Sequence, residues 1–125
     1  MYIEYNQNPC DKRTIDCTVR ALATLFDEQW DRIYIRLCIK GLNMCDMPSS
    51  KSVIDSFLWD AGYVRRIPPK GTTIEEFTKR HKNGKYLLAT NSHVVPAMFG
   101  NYVDTWDSGR EIVLFYWEEL NDKRI

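Results

Sequence analysis

The chain has 125 residues, 44% of them hydrophobic and 27% charged, and its 17 basic and 17 acidic side chains cancel to a formal net charge of +0. That length is one domain, 1–125, and the apolar share is too high for a disordered chain. Without a net positive field, bulk electrostatic attraction to nucleic acid or to an anionic membrane is excluded as the basis of function.

Residues 1–15 read as polar and irregular, with a turn at Asn8-Pro9. The opening Met1-Tyr2-Ile3-Glu4-Tyr5 lacks the basic-then-apolar pattern of a signal peptide. The longest apolar run, Ile112 to Trp117, is far shorter than the ~20 residues of a membrane span. A soluble, cytosolic protein is expected, with Cys10, Cys17, Cys38 and Cys45 reduced. Those cysteines form no C-x-x-C pair and only two histidines accompany them, so neither a zinc site nor a cofactor is expected.

A first helix is predicted from Asp16, a good N-cap residue, to about Phe26, with Val19, Leu22, Leu25 and Phe26 inward. From Asp27 to Lys40, Trp30, Ile33, Tyr34, Leu37 and Cys38 form a helical stripe that Gly41 should close. A third helix follows Pro48, capped by Ser49 or Ser50. It should bury Val53, Ile54, Phe57, Leu58 and Ala61 and stop at Gly62. Tyr63 to Ile67 reads as a short strand. Thr73-Ile74-Glu75-Glu76 has capping-box spacing for a short helix carrying Ile74 and Phe77. The Lys79-Arg80-His81-Lys82 cluster reads as that helix's solvated end.

After Lys85 the residues become β-branched and aromatic. Strands are expected at Tyr86 to Ala89, His93 to Phe99, Tyr102 to Trp106 and Glu111 to Trp117, with turns at Asn91-Ser92, Gly100-Asn101 and Ser108-Gly109. Pro96 favours an edge strand or a bulge. The whole reads as an α+β domain: N-terminal helices packed against a C-terminal antiparallel sheet, with Trp59 and Trp106 in the core.

Cys17 falls in the first helical turn, where unpaired N–H groups and the helix dipole favour a thiolate and could hold an oxyanion. A carboxylate at Asp16 that capped the helix would compete for the same field. Arg20, one turn on, would pair with Asp16 or with a carboxylate at the sheet edge. His93, opening a strand, can serve as the base for that thiol. For the group that orients the imidazole, hairpin arithmetic compares two acids. A three-residue loop over Phe99-Gly100-Asn101 sets His93 opposite Asp107, and a two-residue turn with partners summing to 201 sets it opposite Ser108. In both registers Asp104 lies about 10–14 Å away along the strand. Asp107 is therefore the expected orienter and Asp104 a turn residue.

With Asp16-Cys17-Thr18-Val19-Arg20-Ala21-Leu22, His93-Val94-Val95 and Tyr102 to Asp107 in this order, the chain resembles a minimal papain-like cysteine peptidase domain over about residues 8–117. It is closest in style to bacteriocin-processing peptidase domains and to small uncharacterised proteins of phages and their Gram-positive hosts. The resemblance implies a catalytic triad of Cys17 as nucleophile, His93 as base and Asp107 as orienter. It further implies a thioester intermediate, a peptide or protein substrate, and the host cytosol as location if the protein is phage-encoded. The family's oxyanion glutamine would fall at Asp11, leaving Gln7 and Asn8 as the upstream amides. A non-enzymatic interaction factor on the same scaffold, and acyl transfer or deamidation through the same residues, are the alternative functions.

Overall fold

The computed structural model describes residues 1–120. Among them are β1 (Tyr2–Glu4), α1 (Cys17–Phe26), α2 (Trp30–Asn43), α3 (Lys51–Asp60), β2 (Tyr63–Arg66), α4 (Ile74–Arg80), β3 (Lys85–Ala89), β4 (Val94–Met98), β5 (Asn101–Asp104) and β6 (Phe115–Glu119). The domain is α+β, with helices mostly N-terminal and strands mostly C-terminal. Its six strands form one mixed sheet in the order β1-β5-β4-β3-β6-β2.

Two features depart from a purely antiparallel meander. The N-terminal residues form an edge strand, Tyr2–Glu4, running parallel to β5. Their pattern is too short to register as a strand, and it is completed only by a partner at the other end of the chain. After β5 the chain also crosses the sheet, so β6 pairs with the far side of β3 instead of extending the hairpins.

The sheet is covered on both faces. Leu87, Ala89, Val94 and Trp117 join the core formed with α1, α2 and α3, while Leu88, Val95, Ala97 and Tyr102 join Ile74 and Phe77 of α4. Adjacent residues of a strand point to opposite faces, so a continuous Leu87-Leu88-Ala89 run is what a doubly covered strand requires. α4 has the expected capping box, with Thr73 and Glu76 exchanging bonds. α3 is capped by Ser50, whose side chain accepts from the Val53 N–H. His81 is not merely solvated: it stacks on Phe77, with ring centroids 3.9 Å apart.

Tyr34 of the expected α2 stripe is exposed, and further expectations fail in the helices. Trp59 and Ala61 are exposed, because α3 buries the stripe Val53, Ile54, Phe57 and Leu58 and turns the opposite side to solvent. Trp106 is also exposed. Gly41 does not end α2, which runs on to Asn43. A Cβ at Gly41 would stand 2.8 Å from the carbonyl oxygen of Asp46 and 3.2 Å from the nitrogen of Pro48. The glycine is there so that the α2–α3 loop can lie directly on the helix, against a propensity cost of about 1 kcal/mol.

Candidate functional site

Cys17 is the first residue of α1. Asp16, at the N-cap, makes no side-chain cap bond. Its carboxylate turns away, accepting from Arg20 Nε at 2.7 Å, Trp30 Nε1 at 3.0 Å and Asn8 Nδ2 at 3.2 Å. The competition foreseen between Asp16 and the thiol for the helix N-terminus is therefore absent. The first internal bond of the helix runs from the Arg20 N–H to the Asp16 carbonyl, which leaves the preceding N–H groups beside Cys17 without a helical acceptor.

His93 immediately precedes β4, and its carbonyl accepts from the Thr90 N–H across the β3–β4 turn. That turn brings the imidazole to the start of α1, where Cys17, His93 and Val94 line one cleft. Burial pushes the Cys17 thiol up. The His93 hydrogen bond, the Val94 N–H and the positive charges of His93 and Arg20 outweigh it, so the thiol ionises below its ordinary value.

The imidazole's Nε2 lies 2.7 Å from Asp104 Oδ2, which leaves Nδ1 for the sulfur. Burial lowers the histidine, but the Asp104 and Cys17 bonds raise it to about 9. Asp104 is itself buried and is held by Ser108 Oγ at 2.8 Å, the Thr105 N–H at 2.8 Å and Arg20 Nη1 at 3.4 Å. Burial raises this carboxyl, and the His93 and Ser108 bonds bring it below the usual carboxylate range.

The orienting acid is thus Asp104 and not Asp107. Asp107 is exposed and accepts from the Tyr102 hydroxyl at 2.5 Å and the Gly109 N–H at 3.0 Å, bracing the loop that carries Ser108. The reason lies in the hairpin. Phe99 and Gly100 both have positive φ, 52° and 83°, forming a two-residue turn between Met98 and Asn101. Such primed turns favour glycine and asparagine, so Gly100-Asn101 was the natural choice, and a phenylalanine in the first position hides the true one. The paired residues sum to 199, and that count, carried past the end of the ladder, brings Trp106 level with His93 and Asp104 two residues nearer the turn, within side-chain reach. Trp106 stacks on the imidazole at 5.6 Å between centroids.

Pro96 shapes the same region. It lies in β4, an interior strand in unbroken register with β3, neither the edge strand nor the bulge expected of it. The β4–β5 pairing ends at Ala97↔Tyr102, one residue short of Pro96, which has no N–H to donate. Where the strands part, a narrow slot lined by Val94, Pro96 and Val103 opens, and Arg20 reaches Asp104 along it. Arg20 takes both partners foreseen for it, Asp16 at 2.7 Å and Asp104 at 3.4 Å. Trp30, Asn8 and Ser108 carry no signal for these roles, because each bonds a carboxylate across a loop or turn whose path local spacing does not fix.

On the solvent side, Cys17 and His93 form one wall of a cleft of about 290 Å³, which Lys51, Asn91 and Ser92 also line. Cys10 and Cys45 are exposed free thiols, and Cys38 is half-buried. Among the described residues no three His, Cys, Asp or Glu side chains converge to hold a metal, and no helix is long and apolar enough to cross a membrane. Comparison with protein-family models, curated proteins and solved structures gave no match.

Proposed function

We propose that this protein is a thiol hydrolase of papain-like type that cleaves an amide bond in a peptide or protein through Cys17, His93 and Asp104. The observation that carries the reading is that Cys17 shares a cleft with His93, whose ring is bonded to a buried, fully bonded Asp104. A buried carboxylate 2.7 Å from Nε2 keeps the ring protonated and turned, and the protonated ring favours the thiolate.

The Cys17 sulfur attacks the amide carbon, forming a C–S bond while the carbonyl π pair moves to oxygen. The free N–H groups at the start of α1 are suited to receive that oxyanion. Asn8 stands one bond from Asp16 but spends its side-chain oxygen on the Cys10 and Lys12 N–H groups, so it first serves to shape the loop before Cys17. As the tetrahedral species collapses, the C–N bond breaks and the leaving amine takes the proton from His93. Water then attacks the thioester carbon, giving one proton to His93; the C–S bond breaks, the Cys17 thiolate returns beside the protonated ring, and the carboxylic acid leaves and releases its proton to solvent.

Iodoacetamide alkylation with mass-spectrometric site assignment tests the reading. Cys17 should react faster than Cys10 or Cys45 below the pH at which a free thiol ionises, and His93→Ala should abolish the difference. Equal rates at all three thiols would refute the enzyme and leave the interaction-factor alternative.

A further inference from the structure

Lys51, the first residue of α3, is the one charged side chain in the lining of the Cys17–His93 cleft that the proposed chemistry leaves unused. No Asp or Glu lines that cleft. The lysine is half-buried, and among the described residues no carboxylate stands within ion-pair distance of it. Asp55, one turn further along α3, instead accepts from Trp117 Nε1 at 2.8 Å. The Lys51 ammonium lies 5.2 Å from the centre of the Phe115 ring, which holds it against the wall of the cleft. The Arg65 guanidinium, also without a carboxylate partner among the described residues, lies 5.1 Å from the same centre. Laid end to end, the two distances put the cations within about 10 Å of each other.

In a chain whose charges cancel overall, this is a local positive excess, and the sheet fixes where it falls. Phe115 pairs with Ala89, the last residue of β3, and the turn that follows carries Asn91, Ser92 and His93 into the cleft. A substrate held at Cys17 therefore meets a cation beside the reacting pair and no anion. A cleft lined by one sign of charge concentrates groups of the other sign.

We propose that Lys51 is a specificity residue that receives a substrate carboxylate, so that the substrate is an acidic peptide with a carboxylate close to the scissile amide. The proposal rests on the thiol hydrolase reading. Irreversible probes matched in shape and differing in charge test it. Acetyl-Gly-Glu and acetyl-Gly-Gln chloromethyl ketones place the side chain on the acyl side, and the chloroacetyl derivatives of Glu-amide and Gln-amide place it on the leaving side. Chloroacetyl-Gln with a free terminus, set against its amide, offers a terminal carboxylate instead. In each the sulfur displaces chloride, so a C–S bond forms as the C–Cl bond breaks. The acidic member of at least one pair should react with Cys17 about fivefold or more faster than its neutral partner, the upper end for a partly exposed ion pair. The responding pair tells a side-chain carboxylate from a terminal one. That ratio should fall to near one in Lys51→Gln, persist in Lys51→Arg and invert in Lys51→Glu; inversion cannot arise from unfolding. Rapid iodoacetamide alkylation of Cys17 with no charge preference in any pair would overturn the proposal alone. A preference that survives unchanged in Lys51→Gln and Lys51→Glu would do the same, because it would belong to the protonated His93. Iodoacetamide rates at Cys17 no higher than at Cys10 would overturn the hydrolase reading and the proposal with it.

Discussion

Replacing Asp104 by asparagine keeps the shape of the side chain and removes its charge. His93 is held at about 9 against an ordinary 6.5; burial works to lower it, and the Asp104 hydrogen bond is the foremost interaction that raises it. That interval corresponds to about 3 kcal/mol, or roughly 300-fold in the proton equilibrium, at about 1.36 kcal/mol per pH unit. The Cys17 bond supplies a share, so the loss of the Asp104 charge alone should cost about 10- to 100-fold. Because the imidazolium supports the thiolate, the alkylation rate of Cys17 should fall in the pH interval between the lowered and the original His93 ionisation. Asp104→Ala, which also removes the acceptor, should lose more. Asp107→Asn should alkylate at the unmodified rate, since that carboxylate touches Tyr102 and Gly109 and not the imidazole. Wild-type reactivity in Asp104→Asn together with a large loss in Asp107→Asn would refute the assignment and restore the register in which Asp107 faces His93.

Amide hydrolysis should have a bell-shaped pH profile, rising through the depressed Cys17 ionisation and falling near about 9 as His93 loses its proton; alkylation, which needs only the thiolate, should lack the falling limb. His93 binds its proton more tightly when folded, so its contribution to stability is complete below 6.5 and is lost as pH rises through about 9. Urea midpoints should decline across that interval, and the decline should flatten in His93→Ala. Arg20→Leu removes the cation between two buried carboxylates and should destabilise the fold by about 3–5 kcal/mol in urea titration. Gly41→Ala, although it improves helix propensity, drives a methyl group against the Asp46 carbonyl and should lower stability by about 1–3 kcal/mol in thermal unfolding.

The local grammar of the chain exposed most of its elements. The Ser50 and Thr73 caps, the Val53-Ile54-Phe57-Leu58 stripe and the Leu87-Leu88-Ala89 run each carry their own signal, and Cys17 and His93 stood out as a thiol at a helix start and an imidazole at a strand start. What stayed hidden depends on partners far along the chain. Tyr2–Glu4 becomes a strand only beside β5, and Gly41 has its purpose only once the Asp46–Pro48 backbone lies against it. Asp104 reads as a turn residue because Gly100-Asn101 has the composition of the turn that Phe99-Gly100 forms. In a hairpin a one-residue shift of the turn moves every cross-strand partner, so the choice between two nearby acids turned on the backbone of Phe99.

The edge strand β1 runs alongside the segment that ends in the orienting acid, with Glu4 level with Asp104 and the Tyr5 N–H bonded to the Asp104 carbonyl. Tyr2–Glu4 must therefore wait for β5, far along the chain, before either finds its mate, a delay typical of folds built on distant pairings. Until then Cys17 has neither His93 nor Asp104 beside it and behaves as an ordinary thiol. The depression of the Cys17 ionisation is thus a property of the completed sheet and not of the helix start alone.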